Sequence, residues 1–135
     1  MAVRTALAML FLGAAVLAGG CAEATAGSTT VEIELHFSRF EPATVTVPAG
    51  RPVTIVLRNT DPIDHEWIVG SEAVHARHRD GTEPVHDTRS TEVSVPALET
   101  RRTTLVFDTP GNYKFVCHLP GHEAYGMVGS LRAVD

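Results

Sequence analysis

From residue 31 onward, apolar and polar side chains alternate with a period of two, and this feature most restricts the fold. In the segment VEIELHF (31–37) every second side chain is apolar, which places the apolar set on one face of a strand. Eight short strands of this kind predict one all-β domain over residues 31–135, an antiparallel sandwich or barrel. The other seven segments are 44–47, 52–59, 65–70, 91–95, 102–107, 112–118 and 127–134.

One segment, residues 71–90, interrupts the alternation. Its first part predicts one or two helical turns, with Ser71 as the N-cap and Asp80-Gly81 as the stop. We expect a solvated polar excursion from the sandwich. Its histidines also allow a second, weaker metal site or a pH-sensitive docking surface. These histidines are His75, His78 and His86.

The N-terminus predicts export. Arg4 precedes an apolar run over residues 5–18, which is shorter than the ~20 residues of a membrane-spanning helix, so residues 1–20 are interpreted as a signal peptide. The run ends in Leu-Ala-Gly-Gly-Cys, which resembles the lipobox of bacterial lipoproteins. We therefore expect lipid attachment at Cys21, a flexible tether over residues 21–30, and a location in the periplasm or on the extracytoplasmic face of the membrane. An ordinary cleavable signal with an incidental cysteine is the alternative.

Composition excludes several classes of protein. The 16 acidic residues outnumber the 11 Lys and Arg residues, and the basic residues form no run, so no nucleic-acid partner is expected. Two cysteines are too few for a disulfide-rich scaffold. If Cys21 carries lipid, Cys117 has no disulfide partner in a compartment where thiols normally pair or oxidise. A lone thiol there indicates a specific role.

The segment FVCHLPGHEAYGMVG carries the candidate chemistry. Cys117, His122 and Met127 follow one another at Cys-x4-His-x4-Met spacing. Strand parity points Cys117 inward, and His65, at the start of an earlier strand, points inward with Trp67. A thiolate, two imidazoles and a weak thioether are the ligand set of a blue-copper centre.

Simpler interpretations stay open for these residues. Cys117, His65 and Met127 could each be ordinary core residues. Zinc could bind the cysteine and the two histidines, although structural zinc sites use four good donors and methionine is not one. A cysteine nucleophile paired with histidine is a further alternative, but the remaining parts of such a site are not evident. By strand parity His118 faces outward at the rim of the site, and His36 lies on a polar strand face.

These motifs resemble the cupredoxins, the blue-copper family of plastocyanin, azurin and auracyanin, over residues 31–135. FEPATVTVPAG (40–50) is similar to the family's Phe-x-Pro segment and the Val-x-x-Gly turn after it. PGNYKFVCHLPGHEAYGMVGSLRAV (110–134) resembles its C-terminal ligand loop, and HEWIV (65–69) resembles its first ligand strand. Glu66 departs from the asparagine that azurin and auracyanin have there, so altered hydrogen bonding near the thiolate is expected.

The resemblance implies an eight-stranded Greek-key fold and one type 1 copper ion. His65, Cys117 and His122 would bind in the plane, with Met127 axial and His122 nearest the surface. It also implies a monomer that is not an enzyme and transfers single electrons to or from a redox protein such as a cytochrome or an oxidase. The alternative is a copper carrier without redox cycling. Copper nitrite reductases and multicopper oxidases combine several such domains with another class of copper centre, which one domain of this length does not supply.

Overall fold

The structure, a computed structural model, describes residues 27–81 and 89–135. The predicted signal peptide, the predicted lipid-attachment residue Cys21 and His86 therefore lie outside the described residues. Within the described ranges, no helix is long and apolar enough to cross a membrane. The elements there are β1 (Thr29–His36), β2 (Arg39–Glu41), β3 (Thr44–Pro48), β4 (Pro52–Asn59), β5 (His65–Gly70), α1 (Glu72–Arg79), β6 (Glu92–Val95), β7 (Thr100–Val106), β8 (Gly111–Val116) and β9 (Val128–Val134).

The strands form two sheets, in the orders β2-β1-β4-β7 and β3-β9-β8-β5-β6. The all-β fold predicted from the alternation is thereby confirmed, and each of its eight predicted strands forms. The short strand β2 was not predicted, because three residues are too few to display a period of two. The expectation of purely antiparallel pairing is wrong for two strand pairs, since β1 pairs with β4 and β3 with β9 in parallel. The chain alternates between the sheets here, so these neighbours are joined by crossovers rather than hairpins.

Alternate side chains of both sheets meet in one apolar core. Phe115 packs edge-on against Phe40, with ring centroids 5.1 Å apart, and its centroid lies 6.1 Å from that of Trp67. Cys117 and Met127 belong to the same buried cluster. The candidate site is therefore built on one end of the core. Fully buried apolar side chains of the core are Ile33, Leu35, Ile55, Leu57, Trp67, Phe115 and Leu131.

The predicted helical turns form α1, which follows β5 directly. Ser71 occupies the N-cap in an extended conformation, and Asp80 occupies the C-cap. The expectation that this region is solvated is wrong only for the face of the helix that carries the two histidines, because His75 is fully buried and His78 is 9% exposed, whereas most of the other helix residues are exposed. The two histidines are three residues apart and so share the face that packs against the protein.

Gly129 is predicted to be intolerant of any side chain. A Cβ atom there would lie 2.1 Å from the Phe115 ring and 2.8 Å from the carbonyl oxygen of Ala43. We expect Gly129→Ala to lower the free energy of unfolding by about 1–3 kcal/mol, because the ring must move within a packed core. Gly111→Ala, on the neighbouring strand, is the control: its Cβ would meet nothing closer than the Tyr113 ring at 3.7 Å. Urea unfolding of both variants measures the difference, and equal losses would contradict the steric explanation.

Candidate metal centre

Three side chains that the sequence singled out converge at one end of the sandwich. His65 begins β5, whereas Cys117 and His122 lie in the loop between β8 and β9. His65 Nδ1 lies 3.2 Å from His122 Nδ1, which in turn lies 3.3 Å from Cys117 Sγ. All three donor atoms lie within 4.8 Å of one another. His65 and Cys117 are buried and His122 is half-buried, so the group is open to solvent only on the His122 side.

The loop between β8 and β9 is held closed by its own backbone. The Cys117 N–H donates to the Met127 carbonyl oxygen at 3.2 Å, and the Met127 N–H donates to the His122 carbonyl oxygen at 3.0 Å. Gly121 and Gly126 adopt φ values of +86° and +95°, in the region that favours glycine. These turns bring the chain back toward Cys117. Met127, at the end of the loop, is fully buried and lies next to the backbone of Cys117 and His122.

Asp61 orients His65. One carboxylate oxygen accepts the Phe37 N–H at 2.8 Å, and the other accepts the Ser38 N–H and lies 2.8 Å from His65 Nε2. Burial opposes ionisation of this carboxyl, but the hydrogen bonds from Ser38, His65 and Phe37 outweigh it and lower its pKa. Because the carboxylate accepts the Nε2 proton, the Nδ1 lone pair of His65 is turned toward Cys117 and His122.

Cys117 is surrounded by apolar side chains and by backbone donors. Burial raises the pKa of its thiol to about 11, against the N–H groups of Glu66 and Leu119, which lower it. The Glu66 N–H lies 3.4 Å from Sγ. A nucleophilic cysteine needs a lowered pKa, so this environment disfavours the nucleophile considered above. A buried thiol with such a pKa ionises when a metal ion replaces its proton.

Glu66 links the two ligand-bearing segments. Its side chain is buried, and Oε1 accepts the His118 N–H at 2.7 Å. The same residue therefore fixes the chain after Cys117 through its carboxylate and contacts the sulfur through its N–H. Glu66, where altered hydrogen bonding near the thiolate was expected, thus hydrogen-bonds both the Cys117 sulfur and the His118 N–H.

The donor set fits copper better than zinc. One sulfur and two imidazole nitrogens face one another in a largely dry pocket, and soft sulfur with imidazole is the combination that serves both copper oxidation states. A tetrahedral structural zinc site would need a fourth strong donor, and Met127 offers only a weak thioether. Burial also lowers the pKa of His122, with His65 adding to the effect, so this ring is neutral and able to bind a metal near neutral pH.

Two features of the surroundings differ from expectation. His118 was expected to face outward, yet its side chain is only 4% exposed, because α1 covers it. Asp61 was missed as a functional residue, because nothing in the sequence analysis singled it out. The available signal was a carboxylate four residues before His65, because a metal-binding histidine commonly donates its second ring N–H to a carboxylate.

Comparison with known proteins places these observations in context. A family model described as a Cupredoxin-like domain matches residues 5–128. The "Copper-resistant cuproprotein CopI" of Rubrivivax gelatinosus is 33% identical over 96 residues, which cover 69% of this chain and 58% of that protein. The protein of the same name from Vibrio cholerae is 34% identical over 91 residues, covering 64% of this chain and 53% of that protein. This chain thus spans little more than half the length of these two relatives.

A solved structure is also similar. Auracyanin A, described as a "blue" copper protein from Chloroflexus aurantiacus, has 27% sequence identity and a TM-score of 0.63. The match covers 80% of this chain and 100% of that one. Because the match covers the whole of the auracyanin A chain, the similarity extends over both sheets of the sandwich.

Asp61→Asn is expected to lower the free energy of unfolding of the metal-free protein by about 1–3 kcal/mol. An amide has one acceptor oxygen and cannot accept all three hydrogen bonds that the carboxylate receives. Asp64→Asn is the control, because Asp64 accepts one exposed hydrogen bond, from the Ala97 N–H at 2.9 Å. Urea unfolding compares the two, and a loss for Asp64→Asn as large as that for Asp61→Asn would contradict the role given to Asp61.

The same pair of variants tests the pH dependence. The pKa of Asp61 is lowered below its ordinary value of 3.8, so its contribution to stability is present above that pH. The contribution is lost as the pH falls through the folded-state pKa. We expect the parent protein to lose stability in this acidic window and Asp61→Asn to lose less.

Proposed function

Because this chain belongs to the cupredoxin-like family, we propose that it is a blue copper protein that carries single electrons. The observation that supports this most directly is the convergence of Cys117 Sγ, His65 Nδ1 and His122 Nδ1 within 4.8 Å in a buried pocket. These three residues would hold one copper ion, with Met127 as a weak axial ligand. Bound copper supplies a couple that accepts and releases one electron.

The protein's own contribution is to hold the donors in place. Asp61 fixes the His65 ring, and Glu66 fixes the chain after Cys117. A set of donors that stays in place when one electron arrives needs little rearrangement, which favours rapid transfer. The apolar surroundings of the sulfur exclude water and so influence the potential. His122, the half-buried member, gives an electron its shortest route to the surface.

A copper carrier is the second candidate function. It is favoured by one observation, the name "Copper-resistant cuproprotein" borne by the two relatives. A carrier must release its metal to a recipient, whereas an electron shuttle retains copper in both oxidation states. The burial of His65 and Cys117 favours retention, because a recipient's ligands reach the metal only past His122.

The remaining parts of the proposal concern place and partner. The predicted signal and lipobox support an exported protein anchored by lipid at Cys21, in the periplasm or on the extracytoplasmic face of the membrane. A cytochrome, an oxidase or a similar redox protein would exchange electrons with it. We propose no catalytic activity and no nucleic-acid partner, since a single centre of this kind serves electron transfer without binding a substrate.

The spectrum of the copper-loaded protein tests the thiolate ligand. With Cu(II), we expect an intense red-orange absorption and narrow copper hyperfine splitting in the EPR spectrum, both bleached reversibly by ascorbate. Cys117→Ser should abolish the absorption, because the charge transfer arises from sulfur. Thr104→Ser, which changes an exposed side chain on β7, is the control and should leave the spectrum unchanged. A Cys117→Ser protein that stays blue would refute the assignment.

Retention of copper on reduction separates the shuttle from the carrier. We expect ascorbate to bleach the protein without release of metal to bathocuproine disulfonate, a chelator of Cu(I), and reoxidation to restore more than about 90% of the colour over several cycles. Stoichiometric transfer of copper to the chelator within the mixing time would instead support the carrier. The full chain should be used for both measurements.

A further inference from the structure

A second pair of histidines lies behind the first site. His75, on α1, and His118, just after β8, face each other with His75 Nδ1 3.0 Å from His118 Nε2. The outer nitrogen of each ring faces an oxygen: His75 Nε2 is 3.3 Å from the Lys114 carbonyl oxygen, and His118 Nδ1 is 3.3 Å from Glu123 Oε2. His75 is fully buried and the His118 side chain is 4% exposed. The two rings thus face each other, and each turns its outer nitrogen toward an oxygen acceptor.

The protons of two neutral imidazoles cannot satisfy this arrangement. Two neutral rings carry two N–H groups, and a carbonyl or carboxylate oxygen only accepts. If both protons point outward, two lone pairs face each other at 3.0 Å. If one proton lies between the rings, the ring that donates it turns its outer lone pair toward an oxygen: His75 Nε2 toward the Lys114 carbonyl, or His118 Nδ1 toward the Glu123 carboxylate. In the described part of the chain His118 Nδ1 has no hydrogen-bond partner.

A cation bound by both inner nitrogens would resolve the conflict. The outer nitrogen of His75 could then donate to the Lys114 carbonyl, and that of His118 would carry its proton on the side of the Glu123 carboxylate, as metal-binding histidines commonly do. Protonation of the pair is disfavoured, because burial lowers the pKa of His75 and so opposes a charged ring. A metal ion bound by neutral imidazoles is the alternative.

The surrounding charges allow a metal ion. Arg79 pairs with Glu72 and Glu123, and the Lys114 ammonium lies 3.5 Å from Glu72. These two cations and two anions balance, so the paired charges beside His75 and His118 add no net positive charge. A surface groove lined by His118, Arg79 and Glu123, among others, lies against the His118 side of the pair.

We propose that His75 and His118 form a second copper-binding site, separate from the site of His65, Cys117 and His122. Among divalent first-row metals Cu(II) binds nitrogen donors most tightly, so copper is the ion expected in a protein exposed to it. Cys117 and His118 are consecutive, which places the two sites on adjoining residues. His78 stacks on the His118 ring, with centroids 5.4 Å apart, and holds it against α1.

Titration of the purified full chain with Cu(II) alone tests the proposal. We expect two equivalents to bind, the first producing the blue spectrum and the second a pale EPR signal with wide hyperfine splitting and nitrogen coupling. His75→Gln should lose the second equivalent and keep the first, since the glutamine amide can still donate to the Lys114 carbonyl. His36→Gln is the matched control and should bind both. His75→Phe provides a second variant that lacks any ligand atom, and retained blue colour shows that either variant has folded.

Two outcomes would overturn the proposal: a parent protein that binds one equivalent at most, or a second equivalent that persists unchanged in both His75 variants. The test is independent of the function proposed above. Cys117→Ser should lose the blue signal and still show the pale one, so failure of one site does not conceal the other. If the parent protein is never blue but its pale signal depends on His75, the proposed function fails and the second site stands.

Discussion

The Asp61 carboxylate receives the Phe37 and Ser38 N–H groups from the turn between β1 and β2 and binds the far side of the His65 ring. It therefore joins the first sheet to the first residue of β5, which lies in the second. The segment before it is held as well, because the Asn59 side chain donates to the carbonyl oxygens of Ile63 and Val95. The contact between the two sheets thus fixes the position of His65 relative to the other candidate ligands, Cys117 and His122.

Burial shifts the pKa of the Cys117 thiol and the pKa of the His122 imidazole in opposite directions. It raises the pKa of the Cys117 thiol to about 11, so the metal-free site holds a neutral thiol. It lowers the pKa of His122, so that imidazole is already deprotonated. A metal bound as proposed would therefore displace a proton from the Cys117 sulfur, whereas the His122 ring would bind without losing one. The burial that keeps the thiol neutral would also shield a bound ion from solvent.

The sequence was sufficient to predict the strands and the ligand spacing, because both depend on local patterns. The period of two predicted eight strands, and the interval from Cys117 to Met127 predicted a closed ligand loop. Parallel pairing of β1 with β4 could not be predicted, since it depends on how the chain crosses between sheets. Asp61 was missed for a similar reason: two of its three partners lie more than 20 residues away.

His118 shows the limit of strand parity as a guide. Strand parity correctly predicts that His118 and Cys117 point to opposite faces of the sheet. It does not predict which element packs on the face to which His118 points. There α1 covers the ring, because His75 and His78 face inward from the helix. Periodicity in an eight-residue helix with few apolar side chains gives no indication of this packing.

The turn between β1 and β2 serves His65 through its backbone alone. Phe37 and Ser38 adopt φ values of +50° and +52°, and the Phe37 side chain is 78% exposed. Asparagine or glycine would adopt this conformation at least as readily and would supply the same N–H groups. Evolution can therefore exchange these side chains for others that tolerate a positive φ, whereas proline and β-branched residues are excluded, and an alignment of relatives would record a variable turn at a position on which the geometry of the site depends.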